Sequence, residues 1–195
     1  MIIKKETMEG IENGVYQGVC VAVIDLGTQL NTHFNKKEKK MLIMWELPTL
    51  PITFQKDGAD VTMPRVISKQ YTQSFAEKAT LLKDLQSWRG RNFTDEELGG
   101  FEVNNLIGVN CMIQVMNNTK DGKTYAKVAN ILPLYQGVPE VKPAMNPIMY
   151  SVADDEIPEN IPNWIKSLIL KSDEKQKEGH IVDGGEEPPP QDCPF

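Results

Sequence analysis

The chain has 195 residues, 40% of them hydrophobic, and a formal net charge of −6 at pH 7, which accommodates one ordinary domain with extensions and excludes two full-sized ones. The acidity is uneven: residues 1–150 hold 17 basic and 16 acidic side chains, residues 151–195 hold 4 and 11. Three widely separated cysteines, Cys20, Cys111 and Cys193, lack the spacing of a disulfide framework or a zinc site, so a reducing compartment and no metal are expected.

The N-terminus, Met1 to Glu6, has no h-region, and no apolar run reaches the length of a membrane span. A cytoplasmic protein with no export signal and no membrane partner is therefore expected. Val15 to Leu26 is rich in β-branched residues, with apolar side chains on both parities, which predicts a strand buried on much of both faces. Gly18 inside it marks a bulge or bend. A polar loop follows from Thr28, containing Phe34 and then Lys36-Lys37-Glu38-Lys39-Lys40. It reads either as a flexible cationic lip beside a sheet or as a solvated hairpin connection.

Met41, Ile43, Trp45 and Leu47 share one face of the next strand, and Glu46 should mark the wet one. By that parity Trp45 points inward, as large aromatics usually do, although it also has the chemistry of a base-stacking platform. Pro48 and Pro51 interrupt the ladder, and a hairpin turns at Lys56-Asp57-Gly58. Arg65, Ile67, Lys69 and Tyr71 then alternate on one face. If the charged parity reaches water it carries Tyr71 with it, interleaving cations with an aromatic; the alternative tucks Tyr71 under the following helix.

Ser74 to Glu77 has the form of a capping box, with a helix to Trp88 ended by Gly90, and Arg89 and Arg91 beside it. Thr94 to Glu97 is a second capping box. Val109–Met116 and Tyr125–Leu134 form the clearest hairpin, with Lys123, Tyr125 and Lys127 near its turn. Prolines at 133, 139, 143 and 147 leave an extended connector, and Pro162 to Ser172 should form a last helix with Trp164, Ile165, Leu168 and Ile169 on its apolar stripe. From Asp173 the composition offers almost nothing to bury, which predicts a disordered acidic tail. The domain division is thus 1–137 for the sheet domain, 138–172 for connector and docking helix, and 173–195 for the tail.

The order strand, basic loop, strand, strand, helix, strand, strand is that of a mainly β, five-stranded oligonucleotide-binding (OB) fold barrel with the helix between strands three and four. Met44-Trp-Glu-Leu47, Tyr71-Thr-Gln-Ser74, Trp88-Arg-Gly90, Leu106-Ile-Gly108 and Gly122-Lys-Thr-Tyr125 together resemble bacteriophage single-stranded DNA-binding proteins with an OB fold. The end, Asp192-Cys-Pro-Phe195, is similar to the C-terminal tip of bacterial single-stranded DNA-binding proteins. It departs from that pattern in having one acid and a triple-proline spacer.

The resemblance implies sequence-tolerant single-stranded DNA binding in replication or recombination, with no catalysis and no cofactor. Lys36, Lys37, Lys39 and Lys40, with Arg65, Lys69, Arg89, Arg91, Lys123 and Lys127, would neutralise phosphates. Tyr71, with Phe34, Tyr125 or Trp45, would stack bases. Asp192, Pro194 and Phe195 would recruit replication or recombination proteins. Two other readings stay open: an RNA-binding OB protein, and a protein-interaction module that binds no nucleic acid.

Overall fold

A computed structural model describes residues 10–32, 34–56, 58–120 and 122–177. Three long antiparallel strands come first: β1 (Gly14–Asn31), β2 (Lys36–Lys56) and β3 (Ala59–Thr72). Helices α1 (Thr80–Arg89) and α2 (Asp95–Gly99) and a 3-10 turn (Val103–Leu106) follow. A second hairpin joins β4 (Asn110–Lys120) to β5 (Lys123–Pro133); the short strand β6 (Ile148–Tyr150), α3 (Asn163–Leu170) and α4 (Asp173–Lys177) complete the described chain.

The strand order is β3-β2-β1-β4-β5, with β6 parallel to β1. β1 pairs with β4 as far as Val19 and with β6 from Ala22 to Ile24, so its second edge changes partner where β4 diverges. Register shifts fall at Cys20/Ala22 and Asp25/Gly27 rather than at Gly18. Gly18 has a different cause: a Cβ there would come within 2.6 Å of Ile113 Cδ1, so the glycine admits a core side chain.

The expected five-stranded OB barrel is not formed, because among the described residues no ladder joins β3 to β5 and the sheet stays open. Helix α1 works at that seam from both sides. Its Asp84 Oδ2 accepts from Tyr71 Oη (2.8 Å) and pairs with Lys69 Nζ (2.6 Å), both on β3. Its Ser87 Oγ donates to the Ile131 carbonyl on β5 (2.6 Å), and Trp88 Nε1 donates to the Asn110 carbonyl (3.1 Å). Helix α1 is thus tied by side-chain bonds to β3, β4 and β5.

Each face of the sheet carries its own core. Under α1 lie Trp45, Ile67, Tyr71, Ile113 and Ile131 with Leu81, Leu85 and Trp88 of the helix. The Trp45 and Trp88 rings meet at 5.8 Å and 58°. On the opposite face Leu42, Met44 and Val66 are covered by Ile148, Ile161, Ile165 and Ile169. The face expected to be wet is therefore buried, and Glu46 with it, at 1% exposure. A buried carboxylate needs donors. Glu46 finds them in the connector, accepting from the Ala144 amide (2.9 and 3.1 Å) and the Met145 amide (3.0 Å). Gln17 and Asn110 hold the same segment by bonds to Pro139 and Val141.

Local signals fare unevenly. The Thr94–Glu97 capping box is present with both reciprocal bonds, and Gly90 caps α1 at φ 75°. The Ser74–Glu77 box is not: α1 begins only at Thr80, after Ala79, and the Ser74 hydroxyl accepts from Ala76 N–H in a tight turn. The acidic tail, expected to be disordered from Asp173, instead starts as α4, with Lys175 buried and its ammonium donating to the Asp154 carbonyl (2.8 Å). Residues 178–195 lie outside the described chain. No helix among the described residues is long and apolar enough to cross a membrane.

Candidate functional site

The lysine run does not form a loop. Lys36 to Lys40 open strand β2, paired with Asn31 back to Gly27 of β1. Strand geometry sends alternate side chains to opposite faces, and acids of the same chain meet two of the lysines. Lys37 Nζ lies 2.5 Å from Asp173 Oδ2 on α4. Lys40 Nζ lies 2.8 Å from Glu38 and 2.7 Å from Thr72 Oγ1; its bond, with one from Asn31, holds the Glu38 carboxyl below the usual range. Lys36 and Lys39 are exposed, Lys39 close enough to Glu174 to favour its ionised form. The flexible cationic lip is therefore a structured hairpin faced by the acids of α4.

The expected stacking residues are dispersed. Tyr71 is 3% exposed with its hydroxyl on Asp84, so the charged parity of β3 faces α1 rather than solvent. Burial, together with the Asp84 charge, pushes the Tyr71 hydroxyl far above its ordinary range. Lys69 is occupied by Asp84, 5.6 Å above the Tyr71 ring. Trp45 is fully buried, in line with its inward parity, and offers no platform. Phe34 is exposed at the β1–β2 turn, while Arg65 sits half-buried opposite Leu47. Lys123, half-buried Tyr125 and Lys127 belong to the β4–β5 hairpin. Arg89 and Arg91 converge on Glu97, Arg91 at 2.9 Å, and Arg89 also stands 4.5 Å over the Phe93 ring. The structure brings Lys69 to Tyr71 and Arg89 to Arg91, each around an acid, while Lys36–Lys40 open β2, Arg65 lies on β3, and Lys123 and Lys127 lie on β5. Asp192, Pro194 and Phe195 lie outside the described residues.

A different site emerges beside β1. A cleft of about 620 Å³ is floored by Val23, Met41 and Leu81, residues of the α1-side core and its margin. Phe75 and Phe101 wall it, edge to face at 6.0 Å, and Phe101 is braced in turn by Phe93 at 5.1 Å. Val103 and Met149 continue the apolar wall. The rim is polar: Asp25, Gln73, Ser74, Asn104, Ser151 and Asp154. Five separated segments build it, which is why no motif announced it. Asp25 owes its position to the β1 bulge, where its Oδ1 accepts from the Gly27 amide (2.9 Å) and Gln73 Nε2 (2.7 Å). Asp154 Oδ2 accepts from the Ser151 amide (3.0 Å), fixing the loop after β6.

Cys20 and Cys111 are buried and unoxidised, and burial pushes the Cys20 thiol up to about 12 and Cys111 higher still. They are therefore poor nucleophiles. Among the described residues no cluster of His, Cys, Asp and Glu is arranged to hold a metal ion.

No family model, no curated protein and no solved structure matches the chain. The resemblance to phage single-stranded DNA-binding proteins rested on a barrel that the open sheet does not form, and no relative supplies independent support. The single-stranded DNA-binding reading falls with the barrel, and so does its RNA-binding variant.

Proposed function

We propose that the protein is a non-catalytic binding module that holds an extended segment of a partner protein in the cleft beside β1. The observation that carries this reading is the cleft's construction, an apolar floor and aromatic wall inside a polar rim, enclosing about 620 Å³. That volume lies within the range of ligand sites, roughly 300–1,000 Å³. Interfaces draw most of their energy from a few apolar or aromatic anchors seated in such pockets and ringed by polar contacts. The lining favours binding over chemistry. Among the described residues that line it there is no histidine or cysteine, the Ser74 hydroxyl accepts from the Ala76 amide, and both aspartates accept bonds from their own turns.

The test is a displayed random-peptide library panned on the protein and on Met149→Arg. Met149 is 56% exposed, so the substitution spares the fold while obstructing the cleft. Sequences enriched on the parent protein and lost on the variant are expected. Enrichment indifferent to the substitution would overturn the reading.

A further inference from the structure

Resting on that reading, we infer that the segment held in the cleft carries an arginine or lysine set among apolar side chains. Among the described residues no Lys, Arg or His lines the cleft, whereas two carboxylates border it, those of Asp25 and Asp154. Elsewhere the chain neutralises its charges locally: Lys37 with Asp173, Lys40 with Glu38, Lys69 with Asp84, and both Arg89 and Arg91 with Glu97. Among the described residues Asp25 and Asp154 have no such ion pair. Lys175 approaches the same loop, but its ammonium is buried and bound to the Asp154 carbonyl, and it is not part of the lining.

The geometry of the two acids matters as much as their charge. Each has one oxygen committed to its own turn, Oδ1 of Asp25 and Oδ2 of Asp154. That fixes the carboxylate plane and leaves the second oxygen available to a ligand. Beside an apolar wall such a charge is poorly screened, and a cleft lined by one sign of charge concentrates ligands of the other. A long basic side chain suits both parts of the site. Its methylene stem covers apolar surface, here lined by Phe75 and Phe101, while its head reaches the rim. A neutral apolar segment would fill the floor but bury the two carboxylates without a counter-charge, an unfavourable exchange.

The experiment uses two matched octapeptide libraries, fixed central arginine in one and its uncharged isostere citrulline in the other, with flanks randomised over small and apolar residues. Binding is measured on the full chain, on Met149→Arg, and on the double variant Asp25→Asn with Asp154→Asn. Asparagine keeps the acceptor oxygen for the turn bonds, so the rim is preserved and only the charge is lost. Arginine peptides whose binding is lost on Met149→Arg should bind about tenfold or more tightly than their citrulline counterparts, the scale of one charge-assisted hydrogen bond. On the double variant that ratio should collapse toward one. Equal binding of the two libraries, or a ratio unchanged on the double variant, overturns the inference and leaves the cleft as a neutral peptide site. If neither library yields a ligand sensitive to Met149→Arg, the reading of the cleft as a peptide site is itself overturned.

Discussion

The Glu174 carboxylate of α4 grips Thr28 of β1 twice, accepting from its backbone amide at 2.8 Å and from its hydroxyl at 2.7 Å. Partial burial raises the carboxyl's pKa, but the two Thr28 bonds and the Lys39 charge outweigh it, and the net shift is downward. A group depressed in the folded state contributes stability that is present above its unfolded value, about 4.3 for Glu, and lost as pH falls through its folded value. Docking of α4 should therefore persist at neutral pH and loosen only in acid, below the ordinary Glu range. The Thr28 amide resonance, followed in a pH titration, should move with that transition, and Glu174→Gln should remove it. A Thr28 shift centred at or above pH 4.3 would contradict the assignment.

Tyr71 and Asp84 form the tie between β3 and α1. Tyr71→Ala should cost roughly 3–5 kcal/mol, the range for truncating a large buried aromatic. Asp84→Ala should cost about 1–3 kcal/mol, because it leaves the Tyr71 hydroxyl buried and unsatisfied. Urea denaturation measures both. A Tyr71→Ala variant of unchanged stability would show that the ring faces solvent.

Glu46 should behave as an anchor for the connector rather than as a surface acid. Glu46→Ala strips the Ala144 and Met145 amides of their acceptor, and a loss of about 1–3 kcal/mol is expected. Hydrogen exchange should localise the effect to residues 141–150, with α1 amides protected as before. Uniform loss of protection across the molecule would argue against a local latch.

The two described thiols should be silent in the native state. With burial holding Cys20 near a pKa of 12 and Cys111 higher still, neither presents a thiolate at pH 8. Iodoacetamide on a Cys193→Ser background should label neither until the protein is denatured. Native-state labelling at Cys20 or Cys111 would mean that the sheet opens between β1 and β4.

Much of the sheet was legible residue by residue. The double parity of Val15 to Leu26 announced a strand buried on both sides, and burial is observed from Gln17 onward except at half-buried Asp25, whereas Val15 is exposed. The Gly90 cap and the Thr94–Glu97 box are local chemistry, written in four or five adjacent residues, and they hold. Of the local signals the Ser74–Glu77 box fails; the other misses depend on distant cover. Glu46 read as wet because its partners, the Ala144 and Met145 amides, lie 98 and 99 residues away and belong to no recognisable element. Tyr71 read either as exposed, because Lys69 shares its parity, or as tucked under the following helix; the second is found, with Asp84 satisfying both residues under α1. Closure is the extreme case: element order is the same for an open and a closed sheet, and only β3–β5 hydrogen bonds distinguish them. The cleft was invisible for the same reason, being assembled from five segments whose side chains are ordinary one by one.

The change of partner along β1 has a consequence for how the protein is made. Gln17 bonds Asn110, 93 residues on, and the Pro139 carbonyl, 122 residues on, and Ala22 to Ile24 wait for β6. A chain emerging from the ribosome can form the β1–β2–β3 meander early, but Leu42, Met44 and Val66 stay uncovered until residues 148–169 arrive. Pairings so remote slow folding and prolong the exposure of apolar surface. The first-made strand is thus the last to be finished, and chains cut short before Ile148 should aggregate or engage chaperones in proportion to that bare face. Pelleting assays on such truncations, with Leu42 and Met44 changed to threonine as the control, would measure the dependence.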